Sequence, residues 1–227
     1  MRTIIAFVLM LCTSFMVNAQ GINFKNIGYK EALALAKAEK KSVFVDCYTV
    51  WCGPCKYMTD NIFVLKEVGD YFNDHFISIK FDMESVAAEE FRNMYYVNSY
   101  PTFFFINNEG EVMDRRGSTM DAEKWLNIVR GIMTDTNSLD KLKRKYLKTK
   151  SDSDYNTYLS ALKKAYFEEG IKDLILVRFD CAENKFDHLM QSKGLLSTSL
   201  SKVNFEKFKV ELKKKNGYLP EMDFIFQ

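Results

Sequence analysis

Cysteine is sparse in this chain, and neither charge sign is in large excess. Five Cys among 227 residues are too few for a small scaffold held together by disulfides. A formal net charge of +2 gives no electrostatic reason to expect nucleic-acid binding. After the N-terminal segment, no apolar run is long enough to span a membrane. With 47% hydrophobic and 27% charged residues, the composition is that of a globular chain able to bury a core.

The N-terminal segment has the pattern of a secretory signal peptide. Arg2 precedes an unbroken apolar run over residues 4–11, and Val17-Asn18-Ala19 offers small residues where a signal peptidase cleaves. We therefore predict a signal peptide over residues 1–19, whose removal also removes Cys12. The alternative is an uncleaved N-terminal membrane anchor. Export would bring Cys47, Cys52, Cys55 and Cys181 into a compartment that permits disulfides.

Residues 20–137 alternate between helical and extended patterns. Strands are predicted at Ser42–Tyr48, Phe76–Asp82, Thr102–Ile106 and Glu111–Asp114, and helices at Tyr29–Lys40, Lys56–Tyr71 (broken near Phe63), Val86–Tyr96 and from Asp121 onward. A further strand at Ile22–Phe24 is weakly indicated. Crossover helices between the first three strands and a final hairpin predict an α/β fold, with a mixed sheet flanked by helices on both faces.

The composition changes after Asn137. Residues 138–227 contain 18 Lys and Arg against 13 Asp and Glu, a net charge of +5, whereas residues 20–137 contain 13 against 17, a net charge of −4. Apolar residues recur at helical spacing from Tyr155 to Tyr166 and again from Ser201 to Lys215. We predict a mostly helical C-terminal extension over residues 138–227, with His188 on its surface.

The segment Trp51-Cys52-Gly53-Pro54-Cys55 carries the chemistry. Two residues between cysteines let a disulfide close across one helical turn. A thiolate on Cys52 would face unpaired backbone N–H groups and the positive end of the helix dipole. Cys52 is thus the expected nucleophile and Cys55 the residue that resolves the mixed disulfide. The alternative is a pair of zinc ligands. Structural zinc needs four ligands, however, and Cys47, Cys181, His75 and His188 form no second close pair, so we predict no metal site.

Residues 45–56 resemble the active-site segment of the thioredoxin family, and the resemblance extends over about residues 22–134. It implies a thioredoxin fold, a dithiol–disulfide cycle at Cys52 and Cys55, and no cofactor beyond that redox-active disulfide. Asp46 matches the family's buried acid behind the disulfide, with a pKa raised by desolvation, and Lys80 matches the lysine beside that acid. The alternative for Asp46 is a solvated position at the end of a strand.

The resemblance also implies where substrate binds. Tyr100-Pro101 matches the family's cis-proline loop, whose backbone pairs with an extended substrate, so Trp51, Gly53, Pro54, Tyr100 and Pro101 are the expected substrate-binding residues. The alternative for Pro101 is an ordinary proline at the start of a strand. Cys47 follows Asp46 on the strand, so it is expected on the opposite face as a small buried residue.

Three functional hypotheses follow. The first is a reductase of disulfides in exported proteins, because Gly-Pro between the cysteines resembles reducing thioredoxins. It would work in the periplasm of a Gram-negative bacterium and would need a membrane electron-donor protein as partner. The second is an oxidase or isomerase on the same fold. The third is a binding or assembly protein that acts through residues 138–227.

Overall fold

The computed structural model describes residues 21–134, 138–182 and 185–217. The predicted signal peptide and Cys12 lie outside the described residues. Within those three ranges, no helix combines the length and the apolar character needed to cross a membrane.

The elements of the first part follow the predicted order. They are α1 (Tyr29–Glu39), β1 (Ser42–Tyr48), α2 (Gly53–Tyr57), a π-helical turn (Met58–Ile62), α3 (Lys66–His75), β2 (Phe76–Asp82), a 3₁₀ turn (Val86–Ala88), α4 (Glu89–Met94), β3 (Thr102–Ile106), β4 (Val112–Gly117) and α5 (Ala122–Thr134). The weakly indicated strand at Ile22–Phe24 is reduced to one bridge between Phe24 and Ser78.

The sheet is mixed, with strand order β2-β1-β3-β4. Strands β1 and β2 are parallel, while β3 runs antiparallel to both β1 and β4. The ends of β1 and β4 and the start of β3 therefore lie at one edge of the sheet, where Cys47, Thr102 and Gly117 share a register row. This edge carries the candidate site, and the predicted α/β fold is confirmed.

Side chains of successive strand residues point to opposite faces of the sheet and build two apolar clusters. One face carries Phe44, Phe103 and Phe105 against the π-helical turn, α3 and α5, with Trp125 fully buried in this cluster. The other face carries Val43, Val45, Cys47 and Phe104 against α1 and α4.

The extension is helical, as predicted. Its helices are α6 (Leu139–Thr149), α7 (Asp152–Lys164), α8 (Glu168–Cys181), α9 (Lys185–Ser199) and α10 (Lys202–Asn216). Its apolar residues join the second face of the sheet in one continuous core, in which Leu139 and Leu142 share a cluster with Phe104 and Val112. The boundary predicted between residues 137 and 138 therefore separates two parts that share a core, and its status as a domain boundary stays a prediction.

Several predicted elements differ in detail from the structure. The helix predicted over Lys56–Tyr71 is interrupted by the π-helical turn and resumes as α3, which extends to His75. Tyr166 does not continue α7. It lies in the turn after that helix with φ of 51°, and its side chain is 80% exposed. The prediction that His188 lies on the surface is wrong, because α8 and α9 pack around its ring and leave it 8% exposed.

Candidate active site

The two cysteines lie at the start of α2 and are joined by a disulfide, with their Cα atoms 5.3 Å apart. Cys52 is the N-cap of the helix, and Pro54 occupies its first turn, where no intrahelical acceptor is lost. The backbone N–H of Cys55 donates to Cys52 Sγ over 3.1 Å. Both cysteines are about 95% buried, at 5% and 4% exposure. The helix start therefore presents to Cys52 the donor and dipole that favour a thiolate.

Asp46 is a buried acid on the face of the sheet that the π-helical turn and α3 cover. It alternates with Cys47 along β1, so it shares the side of Phe44, whose cluster includes Met58 and Ile62 from the segment after the disulfide. Its side chain is 2% exposed, and Oδ1 has no hydrogen-bond partner among the described residues. Burial raises the pKa of Asp46 to about 7, against the smaller, opposing effect of Lys80. The solvated strand-end alternative for Asp46 is excluded by this burial.

Lys80 lies beside Asp46 on the adjacent strand β2. The two residues are register partners across the parallel pair of β1 and β2. Lys80 is exposed, with its ammonium 5.4 Å from the centroid of the Phe24 ring. Because the Lys80 ammonium is exposed to solvent, it offsets only part of the desolvation of Asp46, and the pKa of Asp46 is therefore raised.

Trp51, which precedes Cys52, contributes an exposed aromatic ring to the surface beside the disulfide, and Tyr100 contributes a half-buried one. Trp51 is 66% exposed, and its ring packs edge to face with Tyr100, the ring centroids 5.9 Å apart. The indole Nε1–H donates to Glu84 Oε1 over 3.0 Å. Arg92 fixes the loop that carries Glu84, since its guanidinium donates to two backbone carbonyls that flank Glu84, over 2.6 and 2.7 Å. Sequence reasoning missed Glu84 and Arg92, because both act through the tertiary fold rather than through a local motif.

The loop before β3 completes the site. The Tyr100–Pro101 peptide bond is cis, which agrees with the resemblance to the family loop. Thr102 Oγ1 donates to the carbonyl of Ser99 over 2.8 Å and closes the turn. Gly117 faces the loop from β4, where an added Cβ would lie 3.3 Å from the carbonyl oxygen of Pro101. Gly53, by contrast, opens onto free space.

The remaining two cysteines among the described residues are free thiols. Cys47 is buried in the opposite apolar cluster, and burial raises its pKa well above the ordinary value, so its thiol is held neutral. Cys181 is an exposed free thiol at the end of α8. Over the described ranges, no group of three or more His, Cys, Asp or Glu side chains is placed to hold a metal ion.

Residues 29–132 match the family model of a thioredoxin-like domain. Chloroplastic thioredoxin Y of Oryza sativa subsp. japonica is 35% identical over 74 residues, which are 33% of this chain and 41% of the relative. Thioredoxin-1 of Drosophila melanogaster is 29% identical over 92 residues, 40% of this chain and 79% of the relative. A solution structure from Bacteroides thetaiotaomicron, provisionally assigned as a disulphide-isomerase, is 43% identical over 52% of this chain and 98% of its own, with a TM-score of 0.47. The chain spans about half of the length of the chloroplastic thioredoxins that it matches.

Proposed function

This chain belongs to the thioredoxin family, and we propose that it reduces disulfides of exported proteins through a Cys52/Cys55 dithiol cycle. The observation that carries the proposal is the hydrogen bond from the Cys55 amide to Cys52 Sγ at the start of α2. In the reduced protein, the same donor and the helix dipole favour a thiolate on Cys52, which is the attacking species in thiol–disulfide exchange.

The cycle consists of two exchange steps. The Cys52 thiolate attacks one sulfur of the substrate disulfide, so that a bond forms between Cys52 Sγ and that sulfur, and the other substrate sulfur leaves as a thiolate. Cys55 then loses its proton and attacks Cys52 Sγ. The Cys52–Cys55 disulfide forms and the second substrate thiolate leaves. The substrate gains two electrons and two protons, and the two thiols of the protein lose the same number: Cys52 gives up its proton on ionising, and Cys55 gives up the second before its attack.

Asp46 is suited to take the proton of Cys55. Its pKa of about 7 lets the carboxyl group exchange protons near neutral pH. It lies away from solvent, on the face of the sheet that the π-helical turn after the disulfide and α3 cover. Trp51, which precedes Cys52, and Tyr100, whose ring packs against it, offer an aromatic surface to the substrate polypeptide.

The proposed setting is the periplasm of a Gram-negative bacterium. The signal-peptide pattern of residues 1–19 supports export. In an oxidising compartment, a reductase needs two electrons per turnover from a dithiol donor, and a membrane protein can carry them from the cytoplasm. Cell fractionation tests this setting: a periplasmic chain that lacks residues 1–19 supports it, whereas an uncleaved membrane-bound chain contradicts it.

Reduction of an insulin-type protein disulfide by the chemically reduced protein tests the activity. We expect Cys52→Ser to abolish the reaction and the matched variant Cys181→Ser, which removes an exposed thiol elsewhere, to leave it intact. Cys55→Ser should accumulate mixed disulfides, whose partners identify the substrates. A reduction potential near that of thioredoxin, about −270 mV, supports the reductase, whereas a value near about −120 mV makes the protein an oxidase.

A further inference from the structure

A groove runs along the line where the extension meets the thioredoxin-like part, beside the loop of Pro101. We call it the seam groove, and it has a volume of about 350 Å³. It is lined from one side by Thr102 next to Pro101 and by Arg115–Gly117 at the end of β4, and from the other side by Lys164 and Tyr166, where the chain turns from α7 to α8.

The seam groove lies at the same edge of the sheet as the disulfide. Cys47, Thr102 and Gly117 form one register row across β1, β3 and β4. Two strand spacings separate the ends of β1 and β4, about 10 Å. An extended polypeptide advances about 3.3 Å per residue, so it covers that span in about three residues. Thr102, next to Pro101, also lines the groove, so a substrate that pairs with the Pro101 loop and extends toward β4 would come to the groove within about three residues.

The charge of the groove is of one sign. Among the lining residues, Arg115, Arg116 and Lys164 are cationic and none is acidic. Arg115 is committed to the fold, since it donates to the carbonyl of Tyr166 over 2.8 Å and lies over the ring of Phe104. Arg116 is paired with Asp114. Lys164 is exposed, and no carboxylate in the described part of the chain lies within ion-pair distance of it. Lys164 is thus the cation available to a ligand.

Tyr166 forms an exposed aromatic wall of the groove. Its backbone has φ of 51°, a left-handed conformation that is uncommon for a tyrosine, and its ring is 80% exposed. The bond from Arg115 to its carbonyl fixes the turn in this shape. A large apolar ring held in water by a buried arginine is a suitable contact surface for a polypeptide.

Building on the proposed reductase function, we propose that the extension selects substrates. The seam groove binds the segment of the substrate polypeptide about three residues from the attacked cysteine, and it favours acidic side chains there through Lys164, with Tyr166 packing against the same segment. The occupant is thus an extended, acidic stretch next to a protein disulfide.

Two disulfide-bonded peptides that differ only at that position test the proposal. One carries Glu-Glu and the other Gln-Gln about three residues from the attacked cysteine, and bis(2-hydroxyethyl) disulfide serves as a neutral substrate too small to reach the groove. The pre-reduced full chain is mixed with each, the reaction is stopped by alkylation, and the second-order rate constant is measured. For the wild type, we expect the Glu-Glu peptide to react faster by two- to fivefold, roughly the effect of one exposed ion pair, with the ratio falling as salt is added.

Variants distinguish the role of the seam groove from that of the redox centre. Lys164→Glu should abolish or reverse the preference, whereas Lys148→Glu, which makes the same charge change on α6 outside the groove, should keep it. Tyr166→Asn introduces a residue that tolerates the left-handed backbone conformation, and it should slow the reduction of both peptides. All three variants should reduce the hydroxyethyl disulfide at the wild-type rate.

A wild-type ratio of one, or an equal loss of preference in Lys164→Glu and Lys148→Glu, would overturn the proposal while leaving the reductase function in place. A wild-type chain that reduces neither the hydroxyethyl disulfide nor an insulin-type protein disulfide overturns the reductase function itself, and substrate selection by the groove falls with it.

Discussion

Asp46→Asn replaces the buried acid with a neutral side chain of the same shape, and its effect on stability depends on pH. The pKa of Asp46 is raised from 3.8 to about 7 in the folded protein by burial. The folded state therefore holds the proton more tightly than the unfolded state. As the pH rises above the pKa of Asp46 in the unfolded state, folding requires the carboxylate either to take up a proton or to be buried with its charge. The resulting free-energy cost grows until the pH passes the pKa of the folded state and is constant above it.

The size of this effect on the free energy of unfolding follows from the pKa values of Asp46 in the folded and unfolded states. A difference of about three pH units corresponds to about 4 kcal/mol in the free energy of unfolding, fully developed above pH 7. About 2–3 kcal/mol of it should develop between pH 5 and pH 8.5. Asp46→Asn does not titrate, so its stability relative to the wild type should rise by that amount over this range.

Urea denaturation of the oxidised proteins at several pH values measures this difference. Every other group titrates alike in both chains, so the subtraction isolates Asp46. Asp70→Asn, which removes the same charge from the exposed surface of α3, controls for net charge. If the stability difference between Asp46→Asn and the wild type is flat from pH 5 to pH 8.5, the carboxyl group is not desolvated in the folded protein and the reasoning is refuted.

Three further predictions concern packing and the site. Trp125→Ala should lower the free energy of unfolding by about 3–5 kcal/mol, because the ring is fully buried. Trp51→Ala should change it by less than about 1 kcal/mol but slow the reduction of protein disulfides. Urea denaturation measures the stability changes, and an insulin assay measures the rate. Gly170→Ala places a Cβ 2.5 Å from Leu162 Cδ2 and should cost about 1–3 kcal/mol, whereas Gly131→Ala, in open space on α5, should add about 0.5–1 kcal/mol. Cys47→Ala should leave the reduction rate unchanged, since this thiol lies on the face opposite Asp46; a slowed reaction would place it in the cycle.

The sheet and the disulfide could be predicted because their signals are local. Strands β1, β2 and β3 are apolar runs between turn residues, and the cysteines with Gly53 and Pro54 fix the start of a helix. Strand alternation was enough to place Asp46 and Cys47 on opposite faces. The structure confirms that separation, with the two residues on different faces of the sheet.

Contacts between distant segments could not be predicted in the same way. Glu84 receives the Trp51 indole N–H across 33 positions of sequence, and no local pattern marks a hydrogen bond of that kind. Tyr166 continues the helical spacing of α7, but the carbonyl of this residue is bound by Arg115 of β4, so the chain turns there instead. The polar ring of His188 is expected at the surface from the sequence, but α8 and α9 bury it.

The shared core changes how the role of the extension must be tested. Deleting residues 138–227 would expose the face of the sheet at Phe104 and Val112, which Leu139 and Leu142 now cover. Apolar area returned to water destabilises the remaining part by about 25 cal/mol per Å², so a truncated chain would lose activity through misfolding whether or not the extension binds anything. A loss on deletion therefore does not distinguish a binding or assembly function from a supporting one. Substitutions at Lys164 and Tyr166 do distinguish them, because both side chains are exposed and leave the core intact.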